Sequence, residues 1–355
     1  MKKLLLSIYT LLMITFICKG ESFGSGTETY STVQSADKPI VYSTAYYPSS
    51  NDALGIQNAI DAANTNGGGT IYLSSITYNI DTPIHLKSNV RISGKGIGQT
   101  ILKRSSAFTT STGYFIGADN ASLTDVEIRE LSIEGGYTAN ELINDLPDVI
   151  GLGVWSDTEY YNQRIRTWEV EISGFTMGIH IKGTTHIRLE YSNIHDNGGH
   201  YLYHNIYFRR AGQALIYNCK IYNAIEGSGL KLAGGTTTVT NESRYFTIKD
   251  NEIFDNERIN LNIQGCHHIL ISGNDLIGQK STTSKMAGLY MVEYNGYECR
   301  YTDIINNKVI DNTNNGMYIN ACRTFNVEGN KCVDNGTNYN VLNCSDFECD
   351  YNEDN

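Results

Sequence analysis

The sequence predicts an all-β protein whose short strands stack into a single-stranded parallel solenoid. Six segments in the second half alternate apolar and polar residues, as strands with one buried face do. A phrase of the form apolar-x-apolar-x-x-Asn also recurs, at steps of 27, 32, 23, 33 and 23 residues from Ser192. A period near 23 residues with insertions indicates three short strands per turn. The six segments are residues 178–182, 205–209, 229–233, 260–264, 288–292 and 316–320.

Parallel pairing of these segments would place two columns of side chains on the outer surface. The first column is predicted to contain His180, Tyr207, Lys231, Asn262, Tyr290 and Tyr318. The second is predicted to contain Lys182, Arg209, Ala233, Gln264, Val292 and Asn320, with Trp155 from segment 151–155 one strand earlier. Because paired strands lie about 4.8 Å apart, a His, a Tyr, a Lys and an Arg would share a patch about the size of a sugar unit.

The N-terminal region predicts an exported protein. Lys2 and Lys3 precede an apolar run through Ile17, so residues 1–20 are predicted to be a secretory signal peptide. Lipidation of Cys18 is the alternative, although Ile17 is bulkier than the residue expected before a lipidated cysteine. The expected location is therefore secreted or periplasmic. No later apolar run is long enough to span a membrane.

The rest of the chain is predicted to form a lead-in at residues 21–50 and one β-helix domain at residues 51–355. Residues 51–64 predict an amphipathic helix, which the glycines at 67–69 end. Strands are expected at 70–73, 84–86 and 90–93. The recurring asparagines suit tight turns between strands, where the left-handed backbone that asparagine tolerates is common. The apolar face of the helix contains Ala53, Ile56, Ala59, Ile60 and Ala63.

Charge and cysteine content exclude some classes of partner. The net charge of −11 becomes −14 when the signal peptide removes three lysines, which argues against a nucleic-acid ligand. Four cysteines follow the last inward residue of successive coils and predict a buried ladder, although this spacing also permits a disulfide. The Cys-His-His run at 266–268 is a weak metal signal, so no metal is predicted. The four cysteines are Cys266, Cys299, Cys322 and Cys344.

Two N-terminal stretches resemble a known family. The predicted helix with residues 67–73, followed by residues 86–96, resembles the cap and first coil of pectate-lyase-superfamily proteins. The resemblance implies a right-handed parallel β-helix over about residues 45–350, with an N-terminal capping α-helix over its open end. Polysaccharide lyases, glycoside hydrolases, uronate epimerases and phage tailspikes share this fold, so it does not fix an activity.

The residues around the two columns suit β-elimination on a uronic acid. Arg209 can bind the sugar carboxylate, assisted by Lys182 or Asn262. Lys231 is the candidate base, because neighbouring cations lower the pKa of an amine. Tyr207 or His204 is the candidate acid, and the base and acid roles could be exchanged. The remaining candidates for substrate binding are Trp155, His180, His200, Tyr203, Gln264, Tyr290 and Tyr318, of which His200 and Tyr203 belong to the inserted loop 197–204.

Carboxylates are missing from both columns, and Glu226 and Glu293 are not aligned with the strands. Glycoside hydrolysis requires two carboxyl groups and a calcium site requires several, so both are less favoured and no cofactor is expected. The prediction is a secreted, monomeric lyase that cleaves an anionic polysaccharide. Resemblance to β-helical alginate lyases favours alginate as the substrate, and pectate-like and glycosaminoglycan chains are the alternatives. The alternatives are a C5-epimerase, although its Asp-Pro-His signature is absent, a hydrolase, or a non-catalytic glycan-binding β-helix.

Overall fold

The computed structural model describes residues 41–43, 52–110, 112–119, 122–144, 148–157, 161–234, 243–283, 285–350 and 353–354. The predicted signal peptide, Cys18 and most of the predicted lead-in lie outside these residues. Nearly all described elements are strands, and the two helices are α1 (Asp52–Thr65) and α2 (Ala139–Asn144). None of the helices in this part of the chain is long and apolar enough to span a membrane.

The strands form three parallel stacks around one apolar interior. We call the first stack the groove sheet, and it contains β4 (Ile84–His85), β7 (Tyr114–Asp119), β9 (Ile150–Trp155), β11 (Met177–Lys182), β14 (Ile206–Arg209), β17 (Ser228–Ala233), β20 (Ile259–Gln264), β23 (Ala287–Val292), β26 (Asn315–Asn320) and β29 (Thr337–Leu342). The second stack contains β1 (Val41–Ser43), β2 (Gly69–Tyr72), β5 (Val90–Ser93), β12 (Thr184–Glu190), β15 (Gly212–Tyr217), β18 (Ser243–Lys249), β21 (Cys266–Ser272), β24 (Cys299–Ile305), β27 (Cys322–Glu328) and β30 (Ser345–Asp350). The third contains β3 (Thr77–Ile80), β6 (Ile101–Arg104), β13 (Asn193–His195), β16 (Lys220–Tyr222), β19 (Glu252–Phe254), β22 (Asp275–Ile277), β25 (Lys308–Ile310), β28 (Lys331–Val333) and β31 (Glu353–Asp354), while β8 (Thr124–Glu134) and β10 (Asn162–Ser173) run through the second and third stacks.

The register of the groove sheet is the one that the sequence predicts. In the first column His180 pairs with Tyr207, and Tyr207 pairs with Lys231. The column continues through Asn262, Tyr290 and Tyr318. In the second column Trp155, Lys182 and Arg209 are successive partners, followed by Ala233, Gln264, Val292 and Asn320.

A helix forms where the sequence predicts one and buries the predicted face. Ala53, Ile56, Ala59, Ile60 and Ala63 of α1 are all buried. These side chains belong to one continuous core that extends to Cys332 in β28. The helix lies against β2, β3 and β4 of the first coils.

The recurring asparagines form a buried ladder. The side-chain amides of Asn251, Asn274 and Asn307 each donate to Oδ1 of the asparagine in the next coil, at 2.9 Å, and the ladder ends at Asn330. The predicted left-handed residue is not the asparagine itself. The backbone turns one residue earlier, which leaves the asparagine side chain pointing inward. The left-handed residues are Asp250, Gly273, Asn306 and Gly329.

A second ladder, which the sequence analysis missed, supports the turn that enters the groove sheet. Its members follow strands of the third stack or lie at the start of groove strands, and the distances between successive side chains are 2.9–3.2 Å. They are Asn197, Asn205, Asn256, Asn260, Asn312 and Asn335.

The predicted cysteine ladder is present, and its members are free thiols. Cys299 and Cys322 are register partners, and Cys266 and Cys344 lie one coil to either side. Cys266, Cys299 and Cys322 are buried, while Cys344 is half-buried. These thiols therefore pack as small apolar side chains within the core.

Candidate functional site

Aromatic rings occupy the outer surface of β9, β11 and β14. The ring of Trp155 does not stay in the column that its Cα register gives it. It lies over Gly153, where an added Cβ would come within 2.3 Å of Trp155 Cζ3. This brings the indole within 5.8 Å of the His180 ring, measured between centroids. Gly153 thus makes room for a flat aromatic surface of the kind that binds a sugar face.

The stack of rings continues from His180 to Tyr207 and ends at Lys231. The rings of His180 and Tyr207 are parallel within 9°, with centroids 5.1 Å apart. His204 meets Tyr207 edge-on at 5.6 Å. The Nζ atom of Lys231 lies 5.5 Å from the centroid of the Tyr207 ring.

Burial and neighbouring cations perturb the proton affinities of these groups. Desolvation, followed by the charges of Arg258 and Arg209, lowers the pKa of Lys231 to about 8. Desolvation raises the pKa of Tyr207 to about 12. Near neutral pH the amine is therefore close to its deprotonation point, whereas the phenol retains its proton. An amine near its deprotonation point can accept a proton, and a phenol that keeps its proton can donate one.

The two histidines are neutral for the same reason. Desolvation lowers the pKa of His180 to about 4 and the pKa of His204 well below its ordinary value. The backbone N–H of Ser228 donates to Nδ1 of His204 at 3.1 Å, so the proton of the His204 ring is assigned to Nε2. His204 is the last residue of the inserted loop and is only 1 % exposed, so it lies beneath the surface.

Five buried polar atoms at this place have no hydrogen-bond partner within the described protein. They are Nε2 of His180, Nε2 of His204, Nε of Arg209, Nε of Arg210 and Oδ1 of Asn262. A buried polar atom without a partner costs about 1–3 kcal/mol, and native proteins tolerate few of them. Their concentration within four successive coils, from β11 to β20, indicates a surface built to bind a polar ligand.

A carboxylate that the sequence analysis overlooked contacts the second column. Asp157, two residues after β9, forms ion pairs with Lys182 and with Arg210, the latter at 3.2 Å. The Asp157 side chain is 80 % exposed. In addition, β7 extends the second column by one strand and places Asp119 beside Trp155.

The other predicted binding residues lie at different distances from this centre. His200 and Tyr203 contact each other in the inserted loop, with ring centroids 5.6 Å apart. Tyr290 and Tyr318 stack two and three coils beyond Lys231, at 5.2 Å. Tyr318 is only 3 % exposed, because Tyr290, Ala287 and Val292 pack around it. It supports Tyr290 and presents almost no surface to a ligand.

Two further predicted residues lie next to Lys231 on β20. Asn262 is its register partner and is 4 % exposed, with Nδ2 3.4 Å from Oγ of Ser228. Gln264 continues the second column and is half-buried.

In the described ranges, no group of three or more His, Cys, Asp or Glu side chains is placed to bind a metal ion.

More than half of the sequence matches one family. Residues 170–353, which are 184 of the 355 residues, match the family described as "Right handed beta helix region". The chain belongs to this right-handed β-helix family. The handedness and the parallel coils agree with the resemblance to the pectate-lyase superfamily.

Individual proteins are similar to part of the chain. Alginate lyase 7 of Azotobacter vinelandii is 32 % identical over 159 residues, which are 42 % of this chain and 18 % of that protein. Mannuronan C5-epimerase AlgE4 of the same organism is 29 % identical over 159 residues, 42 % of this chain and 28 % of the epimerase. The chain thus spans less than a third of either relative.

A solved structure extends the likeness of the fold to most of the chain. The surface protein and adhesin PfbA of Streptococcus pneumoniae has a TM-score of 0.63 at 14 % identity, covering 88 % of this chain and 98 % of that one. At this identity the likeness concerns the β-helix fold alone.

One cation of the site was missed because it comes from a loop. Arg258 immediately precedes β20, and its guanidinium carbon lies 5.6 Å from the ring centroid of Tyr201. It is the first charge that lowers the pKa of Lys231 and also acts on His204. The alternation of strand residues carries no information about loops, so the sequence offered no signal for this residue.

Proposed function

We propose that this β-helix protein is an exported enzyme that acts on an alginate-like polyuronate, and that it cleaves the chain by β-elimination. The observation that carries the proposal is the position of Lys231. This half-buried amine, with its pKa lowered to about 8, lies between two arginines and beside a protonated tyrosine. The similarity to an alginate lyase over 42 % of the chain supports the same substrate class.

The first step is removal of the proton next to the sugar carboxylate. Arg209 would bind that carboxylate in bidentate fashion and delocalise the charge that develops on it. The deprotonated amine of Lys231 would accept the C5 proton. The partnerless Nε2–H of His204 is available to donate a hydrogen bond to the same developing charge.

The second step is departure of the glycosidic oxygen. As the C5 electron pair forms the C4=C5 double bond, the C4–O bond breaks and the leaving oxygen takes the phenolic proton of Tyr207. Tyr207 then regains a proton from solvent or from the Lys231 ammonium. The raised pKa of Tyr207 favours the acid role for this residue and the base role for Lys231.

Epimerisation is the second candidate, because it shares the proton abstraction and because an epimerase is similar over the same share of the chain. Tyr207 and Lys231 are register partners that project from the same side of the groove sheet. In 1,4-linked mannuronate the C5 hydrogen and the C4 oxygen lie on the same face of the sugar. Elimination from this sugar therefore needs the base and the acid on the same side. Epimerisation needs a proton donor on the opposite face, so the geometry favours elimination.

Hydrolysis and simple binding are less well supported. The exposed carboxylate nearest the cations is that of Asp157, which is paired with Lys182 and Arg210, and hydrolysis requires a second carboxyl across the bond. A binding protein without chemistry needs no amine that can accept a proton near neutral pH, whereas the pKa of Lys231 is lowered to about 8.

The deciding experiment mixes the purified chain with polymannuronate and follows the ultraviolet absorbance of the C4=C5 product, with a chelator present. The rate should rise about tenfold per pH unit below pH 8 and level off above it, because only the neutral amine accepts a proton. Lys231→Ala and Tyr207→Phe should each lose at least about a hundredfold in rate, whereas Arg323→Gln on the second stack should not. Unchanged cleavage by Lys231→Ala refutes the assignment, and inverted uronates without chain shortening would select the epimerase.

The same proposal includes the organisation of the chain. Residues 1–20 would direct export and be removed, and residues 21–50 would lead into the β-helix domain at 51–355. Helix α1 would close the N-terminal end of the solenoid and shield its first core residues from water. The mature protein would act as a monomer on an anionic polysaccharide.

A further inference from the structure

Arginines border the groove from both ends of its strands. Arg209 is the last residue of β14 and pairs with Ala233 at the end of β17. Arg258 precedes the start of β20, and its backbone N–H donates to the carbonyl of Gly227 at 3.0 Å. Six residues separate Gly227 from Ala233 along the strand, so the two backbones lie about 20 Å apart across the groove.

The charges of both guanidinium groups act on titratable residues in the centre of the groove. Arg209 acts on the pKa values of His180, Tyr207 and Lys231, and Arg258 acts on those of Lys231 and His204. Arg258 also leans back over the ring of Tyr201, which belongs to the loop before β14 and is 50 % exposed. The two arginines therefore act on the same stretch of the groove from opposite ends of its strands.

Neither arginine forms an ion pair with a carboxylate among the described residues. Other arginines of the chain do, for example Arg91 with Glu127 at 2.7 Å and Arg166 with Glu190 at 2.9 Å. Arg209 in addition has a buried Nε without a hydrogen-bond partner in the described protein. An acidic protein with a net charge of −11 thus leaves two guanidinium groups at this groove for an external anion.

We propose that Arg209 and Arg258 bind the carboxylates of successive sugars from opposite sides, so that the site selects polyuronates that carry a carboxylate on every sugar. In a ribbon-shaped 1,4-linked chain, each sugar is turned over relative to its neighbour, and successive carboxylates point to opposite edges. A chain in which uronates alternate with neutral or amino sugars presents its carboxylates along one edge only. Tyr201 would hold the Arg258 guanidinium flat and ready for a bidentate contact.

The inference rests on the proposed function, and binding is therefore measured separately from cleavage. Lys231→Ala prevents turnover, and in this background the dissociation constant of a hexamannuronate is measured by calorimetry with and without Arg258→Gln. Loss of a charge-assisted bidentate contact should weaken binding about tenfold to a hundredfold. Arg258→Lys, which keeps the charge but not the fork, should fall between. Arg323→Gln is the matched control outside the groove, and thermal unfolding verifies that each variant is folded.

Selectivity is the second measurement. Arg258→Gln should leave the weaker affinity for an oligosaccharide of alternating 1,4-linked glucuronate and glucose, which carries a carboxylate on every second sugar, unchanged within twofold. In the active enzyme the kinetics are compared on the alkaline plateau, where Lys231 is deprotonated with or without the Arg258 charge. There the same substitution should raise KM for polymannuronate with kcat nearly constant. The proposal is overturned if Arg258→Gln behaves like Arg323→Gln, if it weakens both polymers equally, or if it lowers kcat alone. A protein that binds hexamannuronate through Arg258 but never cleaves would refute the lyase and leave this inference standing.

Discussion

Replacing Lys231 by methionine should stabilise the protein while abolishing its activity. Methionine keeps the unbranched side chain and removes the charge. The pKa of Lys231 falls from 10.5 to about 8 in the folded protein. Since one pKa unit corresponds to about 1.4 kcal/mol, the protonated amine lowers the free energy of unfolding by roughly 3 kcal/mol.

The stability difference between wild type and Lys231→Met should depend on pH. Below pH 8 the amine is protonated in both states, and the folded state bears the full cost of burying the charge. Between pH 8 and 10.5 the unfolded chain binds the extra proton, so the stability of the wild type rises with pH by about 1.4 kcal/mol per unit. Above pH 10.5 both states are neutral and the cost has vanished. The advantage of Lys231→Met should therefore be largest at pH 6 and disappear near pH 11.

Urea unfolding of wild type and Lys231→Met at pH 6, 8, 9.5 and 11 measures this difference. Lys249→Met, on the exposed surface of the second stack, is the control and should show no such pH dependence. The reasoning is refuted if Lys231→Met is less stable than wild type at pH 6, or if the difference between them is the same at every pH. Either result would mean that the amine is solvated in the folded protein and is not a suitable base.

Two further substitutions test the platform and the ladder. Gly153→Ala should displace the Trp155 ring and change its fluorescence. The loss of this ring contact with the sugar should raise KM about twofold to tenfold with kcat retained. Unchanged fluorescence and KM would contradict this. Asn307→Ala removes the acceptor for the Asn274 side chain and the donor to Ile271, so urea unfolding should show a loss of about 2–5 kcal/mol. The half-buried Asn326→Ala should change stability by less than about 0.5 kcal/mol, and an equal loss in both variants would contradict a special role of the ladder.

The fold and the columns were predictable because the coil has two independent signals of register. The apolar alternation determines which residues face inward, and the recurring asparagine determines where each strand begins. A slip of one residue would expose the whole apolar set and break the hydrogen bond between successive asparagines. Tyr207, Lys231 and Asn262 could therefore be aligned correctly from the sequence alone.

The parts of the site that escaped prediction depend on side-chain direction and on loops. The register of Trp155 was correct, but its ring turns into the neighbouring column because Gly153 has no Cβ. Tyr318 has the predicted outward register, yet adjacent side chains cover it. Arg258 and Asp157 lie outside strands, where neither a period of two nor an asparagine slot relates sequence position to direction.

Strand residues and loop residues form different parts of the site. The floor of the groove consists of strand residues such as Tyr207 and Lys231, whose backbones are bonded to both neighbouring coils and whose turns are fixed by the two asparagine ladders. Such a floor can maintain buried, partnerless polar atoms, because the surrounding coils provide the stability that those atoms cost. The walls come from loop residues such as Arg258. Substitutions in the floor should therefore alter kcat at every pH. Substitutions in the walls should alter KM and the choice of polymer, and a change at Arg258 should affect kcat only through the pKa of Lys231.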